Sequence, residues 1–271
     1  MSATVDLRNM LTAVRVSGAD AGAFLHGQLT ADIAALEPDS EKSACYAAYC
    51  SPKGRVLATL FVVRQPDHFL LLMDPGLVES LVQRLRMYVL RAQVNLEPQS
   101  DLDIAGQISG AIKEPAADGS YAGLAVEDAR LVRLPDQRVI LLDASGLMDD
   151  DSEWRRLNIE QGVAWVGQAT TDLFVPQMLA LDVIGAVSFT KGCYPGQEVV
   201  ARARYLGRIK RHLRRFEAAA ALAPGQSIHS GQDAIARVVD CVAAGDGKFA
   251  GHAVVRIDQD ERATEPAVGW L

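Results

Sequence analysis

The sequence predicts an α+β protein. Three observations lead there: short apolar strands are set off by turn residues, amphipathic helices of modest length lie between them, and the last fifty residues are strand-like stretches divided by Pro-Gly, Ser-Gly and Gly-Asp-Gly turns. At 271 residues the chain exceeds one average domain and predicts two or three modules. With 49% hydrophobic and 23% charged residues it has the composition of a soluble globular protein. A net charge of −7 argues against generalised binding to nucleic acid or an anionic membrane. No apolar run approaches the roughly 20 residues that span a bilayer, and the N-terminus lacks a basic segment followed by an apolar core. A cytoplasmic location is the expectation.

Residues 10–17 read as a strand, and Gly18 and Asp20 then open a helix through residue 28. An acidic turn at 37–41 marks a candidate module boundary. Residues 44–49 read as a strand that leads through Ser51-Pro52-Lys53-Gly54-Arg55, good hairpin chemistry, into the apolar strand 56–63. Residues 68–73 form its partner. Asp74-Pro75 is a helix start, and Leu77, Leu81, Leu85 and Tyr88 recur at helical spacing, so a core-facing helix is expected through Tyr88. Residues 91–97 return as a strand, and 131–134 and 139–142 flank a turn. A second acidic break at Asp149 to Asp151 precedes Ser152, an N-cap candidate for a helix that ends at Gly162.

The most informative stretch is Thr190 to Glu198. Cys193 sits just after Lys191, next to Gly192 in a chain that must turn sharply, and Pro195 opens a helix expected over 197–205. Glu198 near its start and Arg202 and Arg204 near its end suit the helix dipole. A thiol ahead of a helix N-terminus and beside a lysine is favoured as thiolate. The alternative is a small buried hydrophobe at a turn. The four cysteines are scattered, with no Cys-x-x-Cys or His-rich cluster, so neither a disulfide framework nor a resident metal site is expected. Cys45 and Cys50, five apart on one strand, should face opposite ways. From Arg202 to Arg215 the chain carries Lys210 and six arginines with no acid. This run reads either as a strand with a solvated basic edge or as an anion site, for a polyanionic cofactor tail or an RNA backbone.

Residues 191–202, Lys-Gly-Cys-Tyr-Pro-Gly-Gln-Glu-Val-Val-Ala-Arg, resemble the signature of the YgfZ family of folate-binding proteins, relatives of the glycine-cleavage T-protein, an aminomethyltransferase. Residues 24–32, 51–55, 88–91 and 157–162 also resemble family segments, in family order. The resemblance implies three modules around a central folate pocket. A discontinuous first module takes 1–41 plus 150–206 and carries the cysteine loop, an α+β module is inserted at 42–149, and a small β-barrel closes the chain at 207–271. It implies tetrahydrofolate or a one-carbon derivative as cofactor. It also implies a role in maintaining iron–sulfur enzymes, including those that thiolate tRNA, with such client enzymes or assembly proteins as partners.

Carried over residue by residue, the resemblance makes Cys193 and Lys191 the reactive pair. Gly192, Tyr194, Gly196, Gln197, Glu198 and Arg202 support their loop, with Glu198 and Arg202 bracing it through an ion pair or backbone contacts. Glu160 matches the glutamate that holds the pteridine in T-protein relatives, and Trp154 a tryptophan associated with folate. Leu11 stands where a second such tryptophan is expected. Ala58 replaces an acid that contacts the reactive folate nitrogen in the aminomethyltransferases. An alanine cannot take up a proton, which argues for an aminomethyltransferase-like fold without that activity. A folate-dependent one-carbon transferase is the alternative function.

Overall fold

The computed structural model describes residues 3–108, 121, 123–127, 130–144, 148, 150–207, 209–257 and 267–271; Asp149 of the acidic break and Arg208 of the basic run lie outside them. The chain runs β1 (Ala3–Asp6), β2 (Thr12–Ser17), α1 (Ala21–Gln28), β3 (Ala44–Cys50), β4 (Val56–Arg64), β5 (His68–Met73), α2 (Val78–Arg86), β6 (Asn95–Gln99) and β7 (Ile104–Ile108). It continues through β8 (Val126–Glu127), β9 (Leu131–Arg133), β10 (Val139–Leu142), α3 (Ser152–Glu160), α4 (Gln197–Tyr205), β11 (Arg211–Ala218), β12 (Ser227–Ser230), β13 (Asp233–Gly245), β14 (Lys248–Arg256) and β15 (Val268–Trp270). The α+β class is as the sequence predicts.

Three antiparallel five-stranded sheets organise these elements, in the orders β3-β4-β5-β2-β6, β1-β7-β10-β9-β8 and β12-β13-β14-β11-β15. The first is covered on both faces, and β3 reports it: all seven of its residues are buried. Cys45, Ala47 and Tyr49 face α1 and α2, whereas Ala44, Tyr46, Ala48 and Cys50 face the other core, shared with the second sheet. The two cysteines are thus on opposite faces, as their odd spacing requires.

Strand pairing crosses the boundary drawn at residue 41. β2 lies between β5 and β6, and β1 pairs with β7, so the N-terminal segment contributes strands to two sheets otherwise built from the inserted stretch. Periodicity identifies a strand but not its partner. The C-terminal strands form one curled half-barrel sheet with β12 and β15 at its ends, in keeping with the small β-barrel module expected there. Helix α2 ends at Arg86, so Tyr88 falls outside the buried stripe of Leu81, Val82 and Leu85 and is 39% exposed.

The connection after α3 crosses the first sheet and is held by side chains of its strands. Tyr46 donates to the Ala164 carbonyl at 2.7 Å, and the Val166 N–H donates to the Thr59 hydroxyl at 2.9 Å. Further on, the Thr30 hydroxyl donates to the Ala186 carbonyl at 2.7 Å. Beneath α3, Arg138 and Asp136 are buried as an ion pair at 2.6 Å. The guanidinium lies 4.4 Å from the centroid of the Trp154 ring and donates to the Trp154 carbonyl at 3.0 Å. Removing one member of such a buried pair costs about 3–5 kcal/mol, because the other is left charged and unpaired.

Candidate functional site: a presented thiol and an inter-sheet cavity

Two turns far apart in sequence lock together to present Cys193. Gly196 opens α4 with φ +82°, and a Cβ there would lie 2.4 Å from the Ser51 carbonyl oxygen. Gly54, with φ +71°, fits under Val199, whose Cβ would stand 2.7 Å from a Cβ at residue 54. Only glycine satisfies both the left-handed backbone and the close approach. The Ser51–Arg55 turn is itself tied down: Ser51 donates to Asp172 Oδ1 at 3.1 Å, and Arg55 donates to the carbonyls of Asp172 and Leu173 at 3.2 and 3.0 Å. One terminal nitrogen of Arg55 thus holds the turn against the backbone of residues 172 and 173.

Lys191 is engaged at the end of α1. Its ammonium donates to the Leu29 carbonyl at 2.6 Å and to the His26 carbonyl, and lies 5.3 Å from the Tyr194 ring centroid. A cation at the C-terminal end of α1 complements the helix dipole and satisfies carbonyls that have no helical partner. Burial pushes the Lys191 pKa down to about 8. Lys191 thus clamps the cysteine loop to α1; sequence spacing to Cys193 does not reveal where a flexible four-carbon stem points.

His26 joins this cluster, and the sequence reading did not single it out, although it lies within one of the family-like segments. The Ala34 N–H donates to His26 Nδ1 at 3.3 Å, and Nε2 lies 3.7 Å from the position of a Cβ at Gly192. Burial, and then the Lys191 charge, hold the His26 pKa below its ordinary value. Cys193 itself is exposed, whereas Tyr194 beside it is buried. Gln197 begins α4, and Glu198 and Arg202 are exposed. Among the described residues neither Glu198 nor Arg202 forms an ion pair, so side-chain pairing between them does not brace the loop. That brace comes instead from Gln177, which donates to the Val200 carbonyl at 2.7 Å, and from Arg204, 3.6 Å from Asp182 and 4.4 Å from the Phe189 ring centroid. An open groove of about 760 Å³ runs alongside, walled in part by Asp32, Phe189, Thr190, Arg204 and Tyr205.

Of the three residues expected to hold folate, two are packed into the core and the third is paired on the surface of α3. Trp154 is 1% exposed, with Arg138 on its ring and Gly106 so close that a Cβ there would lie 2.5 Å from it. Leu11 is also 1% exposed, within the same core. Glu160 pairs with Arg156 one turn away on α3 and is 44% exposed. Residue type identified candidates for stacking and hydrogen bonding, but the packing around α3 turns the tryptophan inward and the glutamate outward. A cavity of about 200 Å³ does lie between the sheets, lined by other groups, among them Asp74, Asp151, Arg155, Trp165, Gly167 and Asp240.

The basic run is divided by its surroundings. Arg214 donates to the Leu271 carbonyl at 3.2 Å and Arg215 to the Glu160 carbonyl at 3.4 Å, while Arg202, Lys210 and Arg211 are exposed. It does not present a uniform row of free cations. Among the described residues no helix is long and apolar enough to cross a membrane.

No protein-family model matches the chain. The tRNA-modifying protein YgfZ of Edwardsiella ictaluri is 30% identical over 224 residues, covering 74% of this chain and 66% of that protein. Its counterpart from an Enterobacter species is 31% identical over 220 residues, covering 73% of this chain and 67% of that protein. Among solved structures, the glycine cleavage system aminomethyltransferase T of Bartonella henselae superposes with a TM-score of 0.65 over 97% of this chain and 80% of that one. At 11% identity that likeness speaks for a shared fold alone. The sequence relationship, together with the aminomethyltransferase-like fold and the presented thiol, shows that this chain belongs to the YgfZ family.

Proposed function

We propose that this chain is an accessory factor that binds tetrahydrofolate or a one-carbon derivative and supports the assembly or repair of iron–sulfur enzymes, including those that thiolate tRNA. Its clients are such enzymes or their assembly proteins, and the cytoplasm, where thiols stay reduced, suits it. The observation that carries the reading is the presentation of Cys193. It is exposed on a loop braced by Lys191, Gly196 and Gln177, whereas burial pushes the thiols of Cys45 and Cys50 up to about 12. An exposed thiol on a rigid loop can ligate an iron of a client cluster. As thiolate it can also take the outer sulfur of a client persulfide and release the client's own thiolate. Membership of a family whose members are named tRNA-modifying proteins supports the link to tRNA.

The fold likeness to an aminomethyltransferase favours a second reading, one-carbon transfer. Ala58, 1% exposed on β4, supplies no proton-accepting group for it.

The test is complementation of a strain that lacks its own copy, reading thiolated tRNA and the activity of an iron–sulfur enzyme. The wild-type chain should restore both and Cys193→Ala neither, with equal protein levels and melting temperatures. Full rescue by Cys193→Ala would remove the thiol from the mechanism.

A further inference from the structure

We infer that the seam between the Ser51–Arg55 turn and the C-terminal sheet binds the phosphate group of a phosphate ester, held by Arg55, Arg211 and Arg237 with Ser227. These four residues line one cavity of about 190 Å³, together with Phe174, Ile235 and Val254, which are buried and apolar. Neither folate nor Cys193 enters this site.

Three segments distant in sequence bring the guanidinium groups together. Arg55 precedes Val56, whose N–H donates to the Phe174 carbonyl at 2.8 Å and whose carbonyl accepts the Asp172 N–H at 2.8 Å. Arg211 and Arg237 come from the half-barrel, where strand register puts them on one face. Leu213 on β11 and Arg237 on β13 are both partners of Val254 on β14, and Ser227 on β12 is the partner of Arg237. Alternation then places Arg211, two residues before Leu213, on that same face. The face is turned to the body of the protein, since Val254 is 2% exposed and belongs to the core shared by the first two sheets.

The charge here is of one sign. Among the described residues no carboxylate lines the cavity, and none of the three arginines has an acidic partner. Asp172, next to the lining residue Leu173, accepts the Ser51 hydroxyl on Oδ1 at 3.1 Å. In a chain of net charge −7 such a cluster is not the by-product of a generally basic surface. Two of the cations are held in place by one nitrogen each. Nη1 of Arg55 donates to the carbonyls of Asp172 and Leu173, and Nη1 of Arg237 to the Gly225 carbonyl at 2.8 Å. Among the described residues their Nε and Nη2 atoms have no acceptor, and Arg211 makes no side-chain hydrogen bond. Like charges against an apolar wall repel one another and concentrate their field in the cleft, which an anion relieves.

A phosphate group suits this arrangement better than a carboxylate. One guanidinium fork saturates a planar carboxylate in a bidentate pair, so three forks and a hydroxyl exceed what it can accept. A phosphate ester carries more charge and presents its acceptor oxygens in several directions at once. A cavity needs roughly 10–15 Å³ to hold a water, so one of about 190 Å³ takes the oxyanion and the first atoms of its ester. The terminal monoester of a small molecule and the phosphodiester of an RNA backbone share this chemistry.

The experiment is isothermal titration of the full chain at low ionic strength, where salt does not screen the site. The probes are inorganic phosphate, AMP, adenosine, succinate and a uridine pentanucleotide without terminal phosphates. The proteins are wild type, Arg211→Gln, Arg237→Gln and Lys210→Gln, the last removing an exposed cation that does not line the cavity. Melting curves verify that each variant is folded, and Arg211 gives up no hydrogen bond among the described residues. Wild type should bind AMP or the pentanucleotide and not adenosine. Arg211→Gln and Arg237→Gln should each weaken binding roughly tenfold, the scale of one charge-assisted hydrogen bond, and Lys210→Gln less than about twofold. Tighter binding of AMP supports the site with a terminal monoester as its ligand, and tighter binding of the pentanucleotide supports it with an RNA backbone. Equal weakening by Lys210→Gln shows diffuse charge and overturns the cavity. Succinate binding as tightly as phosphate overturns the phosphate class, and binding of no phosphate probe overturns the site.

Discussion

The Lys191 ammonium donates to the Leu29 carbonyl at 2.6 Å and so ties the cysteine loop to the end of α1. The loop that presents the thiol and the helix carrying His26 are thereby one mechanical unit.

Replacing Lys191 with alanine should loosen that unit more than it unfolds the protein. Two carbonyls lose a donor, at about 1–3 kcal/mol each, but relief of the buried ammonium offsets part of it. Amide exchange of residues 190–196 should therefore rise roughly tenfold while the urea midpoint moves little. Unchanged exchange in the loop would mean the clamp holds nothing.

The thiols should separate into three classes on titration with a disulfide reagent. Cys193 reacts at once, and Cys241, half-buried and with its pKa raised by burial, follows slowly. Cys45 and Cys50, buried and pushed up to about 12, react only on unfolding. Cys193→Ser should abolish the fast phase, and a second fast equivalent in that variant would contradict the assignment.

Gly196→Ala and Gly162→Ala distinguish crowding from backbone strain. Both positions have positive φ, but a Cβ at Gly162 meets nothing within 4 Å, whereas one at Gly196 strikes the Ser51 carbonyl. The first variant should lose at least about 3 kcal/mol and the second about 1 kcal/mol, read from urea denaturation. Equal losses would show that the turns do not interlock.

Acid should destabilise the chain through His252. It is 1% exposed on β14, and burial pushes its pKa down to about 4 despite a hydrogen bond to the Ile159 backbone. An unfolded histidine titrates near 6.5, so between 6.5 and 4 the unfolded chain binds the extra proton. Stability is then complete above 6.5 and falls as pH drops through that window, by about 2–3 kcal/mol between pH 7.5 and 4.5. His252→Gln should flatten this limb in urea titrations; an unaltered slope would assign it to other groups.

Local signals were legible where one short stretch carries its own constraint. Helix α4 occupies 197–205 because Pro195 and Gly196 mark its start and its charges suit its dipole. The alternation of β3 placed Cys45 and Cys50 on opposite faces. The same kind of signal overran at Tyr88, because an apolar period continues through residues that the chain has already turned out of the helix.

By itself the sequence determined the α+β class, most of the strands and helices, the family, and the thiol at Cys193 between a turn and a helix start. Those properties depend on residues within a few positions of one another, where propensity, period and capping act. Only the tertiary structure decided that Lys191 serves α1, that Trp154 is core under Arg138, that Glu160 faces Arg156, and that Asp74 and Trp165 share a cavity. Each of those outcomes depends on which distant surfaces meet, and a side chain of given chemistry becomes a ligand, a clamp or packing according to the neighbours that desolvate it.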